Sequence, residues 1–254
     1  MRIDLPLGWR TPEKVAFLFG TNVCRVGNPR GEITGIATHS AEVRPGDLFL
    51  CLSGKRQSGV AFIDEALRRG AIAILAPTFA EPSANCFFLP CENAELALLG
   101  AAAVYRKEIG ARVIAVTGSA GKTTVKEAIA AVLGNVPHSE ANYNSLVGMP
   151  LSVLSLPRAA YWVLELGINA RGEMRKMASA LSPDVAVITN VGSAHIGGLG
   201  DFATILEEKL EIVRALSPRG TLILPTGIPV AFVITLVNLV SLLGMKLQPR
   251  IVLI

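Results

Sequence analysis

Cysteine is scarce and scattered. The four, Cys24, Cys51, Cys86 and Cys91, form no C-x-x-C pair, so no site of that spacing is available and they read as reduced packing thiols of a cytosolic protein. Blocks of like charge are missing too. The net charge is only +4 with no Lys/Arg cluster, which gives no nucleic-acid partner; anionic small-molecule substrates account for the bias equally well. The N-terminus, "MRIDLPLGWRTPEKV", has charges throughout and lacks an apolar centre, which excludes a secretory signal. Charge itself is missing from one place, the run Ile228–Met245, "IPVAFVITLVNLVSLLGM". Its length reaches the lower limit of a membrane span.

What is present is apolar and ordered. Hydrophobic residues make up 51% of 254, enough for one large domain or two modest ones. Residues 31–77 predict a β, β, α, β module: strands in "GEITGIATHS" and "GDLFLCLSG", an amphipathic helix in "FIDEALRRGA" with Phe62, Ile63, Ala66 and Leu67 on one face, then the buried strand "IAILAP". Pro77, Pro82 and Pro90 punctuate the chain after that strand. The helix "NAELALLGAAAVYRKEI" leads into a second unit. There, strands at 112–117, "YWVLEL", "DVAVITNV" and "GTLILP" alternate with helices at 121–134, "GEMRKMASAL" and "DFATILEEKLEIVRAL", the last with Phe202, Ile205, Leu206, Ile212 and Val213 near one face. Strands separated by helices predict an α/β fold with a mostly parallel sheet, whose ligands lie beyond the carboxyl ends of the strands.

At such an end stands Thr117-Gly118-Ser119-Ala120-Gly121-Lys122-Thr123-Thr124. The common phosphate-loop pattern G-x-x-x-x-G-K-[ST] wants glycine where this chain has Val116. The context still points to nucleotide: glycines at 118 and 121 admit phosphate oxygens, backbone amides and the helix dipole attract them, Lys122 reaches the β- and γ-phosphates, and Thr123 ligates Mg²⁺. Glu165 closes a strand, His195 follows one, and Lys209 lies in a helix. Each also has a plain reading: an exposed strand-end acid, a loop histidine, and a solvated lysine paired with its acidic neighbours. Mg²⁺ prefers oxygen, which favours Glu165 over His195 as a ligand.

"TGSAGKTT", "ANYNSLVGMPLSVL", "ELGINARGEM", "TNVGSAHIGGLG" and "EEKLEI" occur in that order. The set resembles the central ATPase domain of the Mur ligases, which build the cytoplasmic precursor of bacterial peptidoglycan. The T-G-S-x-G-K-T form beside E-x-G-x-N-x-x-G-E is similar to the branch that adds D-alanyl-D-alanine. "VRPGDLFLCLSGKRQSGVAFIDEALRRGAIAIL" is similar to the family's UDP-binding N-terminal domain. The resemblance covers about residues 31–225. It implies an N-terminal substrate domain over 1–95, an incomplete P-loop domain over 96–227, and an apolar tail over 228–254. It also implies roles. Gly118, Ser119, Ala120, Gly121, Lys122, Thr123 and Thr124 would hold ATP; Thr123 and Glu165 would hold one Mg²⁺, and His195 and Lys209 a second, Lys209 as a carbamate. Ser40, Asn142, Asn144 and Asn169 would face substrate or phosphate. The implied reaction phosphorylates the carboxylate of UDP-N-acetylmuramoyl-tripeptide with ATP, and the amine of D-alanyl-D-alanine then displaces phosphate.

The chain departs from the family in places. His39-Ser40-Ala41 stands for an Asp-Ser-Arg-like triplet, Ser58-Gly59-Val60 for D-G-H, and Ser145 for an asparagine. The lost arginine weakens uridine-nucleotide recognition. The resemblance stops near Pro225, without the rest of the ATPase sheet or a C-terminal Rossmann-like domain. Three readings fit the tail: sequence displaced by truncation or a frame shift, a membrane anchor, or a strand and core helix of the sheet. The coincidence of changed composition with lost motifs favours the first.

Overall fold

The computed structural model describes residues 1–54, 57–80, 82, 85–140, 143–192, 202–226 and 249–253. The chain forms two compact units, Met1–Tyr105 with Pro150–Pro157, and Arg106–Met149 with Arg158–Ile254. The division falls inside a helix, α3 (Ala94–Ile109).

Among the described residues the first unit is built on six strands: β1 (Arg2–Asp4), β2 (Cys24–Val26), β3 (Gly35–Ala37), β4 (Asp47–Leu50), β5 (Ala73–Pro77) and β6 (Cys86–Cys91), in the order β1-β3-β4-β5-β6-β2. The four central strands pair in parallel, and the two edges, β1 and β2, pair antiparallel. Strands β3 and β4 are buried at every position, as expected of a sheet with both faces covered. The short helix α2 (Ile63–Arg68) lays Ile63 and Ala66 on Phe49, Ile74 and Phe88, with Phe62 and Leu67 packed at the margin, the face expected from the sequence. Pro90 punctuates nothing. It lies inside β6, paired with Ala76, beyond the last residue of β2's pairing, so its missing N–H costs no bond to that neighbour. Helix α1 (Pro12–Leu18), capped by the Thr11 side chain on the Lys14 N–H, also belongs to this unit.

Among the described residues the second unit carries five parallel strands: β7 (Arg112–Thr117), β8 (Tyr161–Glu165), β9 (Val185–Ile188), β10 (Thr221–Leu224) and β11 (Arg250–Leu253), in the order β11-β10-β9-β7-β8. From β7 the chain goes to one side for β8 and returns to the other for β9. The strand order therefore reverses beside β7, and the carboxyl ends there form the place where such sheets bind ligands. Helix α4 (Lys122–Val132) packs Val125, Ile129 and Ala130 on Ile114, Val116, Val163 and Val187. Helix α5 (Gly148–Ser155) spans the division between the units. Helices α6 (Glu173–Leu181) and α7 (Phe202–Leu210) pack together, and α7 tightens into a 3₁₀ turn over Glu211–Ala215.

Two expectations for α7 are corrected. Phe202 does not join its apolar face and is 53% exposed. Lys209 is not solvated: it is buried together with Glu208, which accepts from the amides at the head of α6. Of the tail, residues 227–248 lie outside the described residues, including the run Ile228–Met245. Arg250–Leu253 follow it as β11, in register on β10. Among the described residues no helix is long and apolar enough to cross a membrane.

Candidate active site at the carboxyl ends of β7, β8 and β9

Strand β7 ends at Thr117 and the chain enters α4 through Gly118–Gly121. Gly121 stands at the head of α4 with φ 76°, and among the described residues no side chain caps the helix. An added Cβ on Gly121 would meet nothing within 4 Å. Among the described residues no side chain takes up the first amides of α4, and the positive end of the helix dipole lies behind them, which suits an anion. Gly118 is different. Its φ is 149°, and an added Cβ would lie 2.0 Å from Thr189 Oγ1. The close neighbour at Gly118 is the chain's own segment after β9, first the Thr189 hydroxyl and then the Asn190 backbone.

In the first turn of α4, Thr123 Oγ1 donates to Glu165 Oε2 at 2.7 Å. The other oxygen, Oε1, accepts from Asn144 Nδ2 at 2.8 Å. Glu165 is the last residue of β8 and only 2% exposed, so the plain reading of a solvated strand-end acid fails. Its backbone N–H donates to Ser139 Oγ at 2.9 Å, and the buried Lys126 donates to the Ser139 carbonyl at 2.7 Å. Helix α4 therefore supports the carboxylate twice, directly through Thr123 and indirectly through Lys126.

Lys209 is 1% exposed. Burial, and then the nearby Lys122 ammonium, push its pKa down to about 8, with Glu208 pulling the other way. Glu208 itself is tied down: it accepts from the amides of Gly172 at 2.9 Å and Met174 at 3.0 Å, at the head of α6. That fixes how α7 is turned, and hence where Lys209 lies. Two lysines close enough to repel, one of them buried, make a place that favours an anion.

The remaining predicted residues divide. The amides of Ser119 and Ala120 are engaged by Asn190 Oδ1, at 2.9 and 2.8 Å. Asn169 is exposed, with its backbone N–H on Glu173 at 2.6 Å, and no described bond joins it to the Glu165 cluster. Ser40 belongs to the first unit, where it donates to Glu65 Oε2 at 2.9 Å and lines a hollow of about 200 Å³ with Thr38, His39, Phe49 and Gln57. His195 and Asn142 lie outside the described residues. Asn190, Ser139, Lys126 and Glu208 were not anticipated from the sequence. Asn190 alone carried a signal, as a polar residue just past a strand end.

The donor set suits Mg²⁺. A hydroxyl and a buried carboxylate 2.7 Å apart are hard oxygen ligands beside an anion site. Among the described residues there is no group of three His, Cys, Asp or Glu able to hold a metal.

These features define an α/β protein with a glycine-rich strand–helix loop at the switch point of a parallel sheet. The Mur ligase middle domain profile matches residues 116–238, and the profile of the Mur ligase family, catalytic domain, matches 32–142. The chain belongs to the Mur ligase family. It is 39% identical over 206 residues to the UDP-N-acetylmuramoyl-tripeptide–D-alanyl-D-alanine ligase of Bacillus subtilis, covering 78% of this chain and 45% of that protein. The ligase of the same name from Synechocystis is 40% identical, over 76% of this chain and 43% of its own length. Among solved structures, MurF from Acinetobacter baumannii superposes with a TM-score of 0.82 at 28% identity, over 99% of this chain and 54% of that one. MurF from Thermotoga maritima in complex with ADP gives 0.72 at 32% identity, over 86% and 49%. The chain spans about half the length of the curated relatives it matches. The middle-domain match runs to residue 238, so the family resemblance does not stop near Pro225.

Proposed function

We propose that this chain carries the substrate and nucleotide domains of an ATP-dependent amide ligase of peptidoglycan precursor synthesis, joining D-alanyl-D-alanine to UDP-N-acetylmuramoyl-tripeptide in the cytoplasm. The observation that carries the reading is the Thr123–Glu165 pair at 2.7 Å beside the uncapped head of α4, together with relatives of that name. A carboxylate oxygen of the tripeptide attacks the γ-phosphorus of ATP; the bond from that phosphorus to the bridging oxygen breaks and ADP leaves. The dipeptide amine then attacks the acyl carbon, the C–O bond to phosphate breaks, and the amine gives up a proton as phosphate departs.

The chain's own residues act by holding and neutralising. Amides at the head of α4 and the Lys122 ammonium bind the phosphates, and their fixed positions supply most of the acceleration. Thr123 and Glu165 would hold one Mg²⁺, with His195 and Lys209 supporting a second; bound there, the ions neutralise charge between phosphate and carboxylate. Lys126 and Ser139 keep Glu165 in place. At a pKa of about 8, roughly a tenth of Lys209 is neutral at pH 7, against well under a thousandth for an ordinary lysine. The neutral Nζ can attack the carbon of CO₂, forming an N–C bond and releasing a proton. The carbamate so formed is an oxygen ligand and an anion facing Lys122.

Calorimetry with ATP and Mg²⁺ tests the first step, with binding expected in the parent chain and lost in Lys122→Ala. No binding by the parent refutes the proposal. A ¹³C carbamate resonance assigned to Lys209 after ¹³C-bicarbonate loading, and absent in Lys209→Met, tests the modification. The chain's half length favours a second reading, a nucleotide-binding module that does not ligate alone. Pentapeptide formed by this chain with both substrates would exclude it.

A further inference from the structure

We propose that Asn190 is a positioning residue of the phosphate loop, holding Ser119 and Ala120 as a fixed rim and leaving the nucleotide phosphates to the amides from Gly121 onward. The inference rests on the nucleotide-binding reading above and says which part of the loop does the binding.

Residues 117–120 are laced to the segment after β9. Asn190 Oδ1 accepts from Ser119 N and Ala120 N at 2.9 and 2.8 Å, and the Asn190 carbonyl shares the Ser119 N–H at 3.1 Å. Thr189 N–H donates to the Thr117 carbonyl at 2.9 Å, and Thr189 Oγ1 to the Ala120 carbonyl at 2.6 Å. Ser119 Oγ accepts from Gly192 N at 2.9 Å and donates to the Gly192 carbonyl at 3.2 Å. The approach is so close that Gly118 has no room for a Cβ. Both N–H groups that a phosphate-binding loop would offer first are therefore spent on a protein oxygen. Beyond them the surroundings change: among the described residues nothing fills the Cβ position of Gly121, and no side chain caps α4.

Asn190 Oδ1 could instead be a stand-in that phosphate displaces. The lacing argues against that. The other bonds do not use the Asn190 side chain, and one of them keeps Ser119 N–H on the Asn190 carbonyl even if the side chain swings away. Displacement would gain phosphate only one wholly free amide. Holding the rim instead fixes the direction of the next turn, where the helix dipole acts.

Two measurements on the whole chain test this. With inorganic tripolyphosphate and Mg²⁺ as the probe, calorimetry on Asn190→Ala should show binding roughly tenfold weaker, the loss expected when two hydrogen bonds that set the loop are removed. Asn190→Asp keeps an oxygen for the two amides but adds a negative charge. Its binding should return to near the parent value in about 0.5 M salt, where the charge is screened, while the alanine variant stays weak relative to the parent. A merely structural role would give no such salt-dependent rescue. Unchanged or tighter binding by Asn190→Ala overturns the proposal. If that variant does not fold, backbone amide resonances of the parent decide. Tripolyphosphate should shift those of Gly121–Thr124 most, and larger shifts at Ser119 and Ala120 overturn it. Failure of the parent to bind at all would refute the nucleotide reading; parent binding lost in Lys122→Ala but kept in Asn190→Ala would refute this inference alone.

Discussion

Replacing Lys209 by methionine should stabilise the second unit at neutral pH, although it removes a residue of the proposed site. Lys209 is wholly buried, and its pKa falls from 10.5 to about 8, first through burial, then through Lys122, with Glu208 in partial opposition. At ~1.4 kcal/mol for each tenfold in proton affinity, holding the ammonium in the folded state costs about 3 kcal/mol. The sign follows from which state binds more protons. Below pH 8 both folded and unfolded chains are protonated, and the cost is carried in full. Between pH 8 and 10.5 the folded chain has lost the proton while the unfolded chain keeps it, so stability rises with pH. Above 10.5 neither is protonated and the cost is gone. Methionine matches the length of the lysine stem, so the packing change is small. Urea unfolding in CO₂-free buffer, followed by the fluorescence of Trp162, buried in β8, should place the variant up to about 3 kcal/mol above the parent at pH 7. The two curves should converge as pH climbs from 8 to 10.5. A variant less stable than the parent at pH 7, or a difference that does not change with pH, refutes the reasoning.

The two loop glycines should respond differently to alanine. Gly118→Ala drives a Cβ into Thr189 Oγ1 and should cost about 2–4 kcal/mol in urea unfolding. Gly121→Ala meets only open space and a φ of 76°, and should cost about 1 kcal/mol. An equal or larger loss at Gly121 would contradict the assignment of close packing to Gly118. Among the cysteines, burial raises Cys51 to about 12 and Cys86 to about 11, while Cys24 is exposed. A thiol reagent at pH 8 should therefore label Cys24 readily and reach Cys51 and Cys86 only after unfolding, because the thiolate is the reactive form. Prompt labelling of Cys51 in the folded chain would count against its burial.

How much was legible depended on how far each residue's setting is local. The alternation of "RVIAVT", "YWVLEL" and "DVAVIT" with helical stretches marked the parallel sheet, since strands buried on both faces are continuous apolar runs. The three-residue edges β1 and β2 left no such mark. Strand β6 was hidden by Pro90, which a strand tolerates only where a neighbour is missing. Whether that neighbour is missing depends on β2, far earlier in the chain.

The same distinction separates the site residues. Thr123 and Glu165 could be placed because each follows or ends a strand, and strand ends in a parallel sheet converge. Lys209 could not be separated by pattern from the acidic neighbours beside it. Its burial depends on how α7 is turned, which Glu208 fixes by accepting from the amides of Gly172 and Met174 about thirty-five residues earlier. The two glycines show the limit most sharply. In the string T-G-S-A-G-K-T they look alike, yet one makes room for Thr189 and Asn190 and the other faces open space. Only the segment after β9 distinguishes them, and it lies about seventy residues away. A glycine in a phosphate loop is thus evidence of close approach, but what approaches is decided by the strand next door, and at Gly118 it is the chain itself.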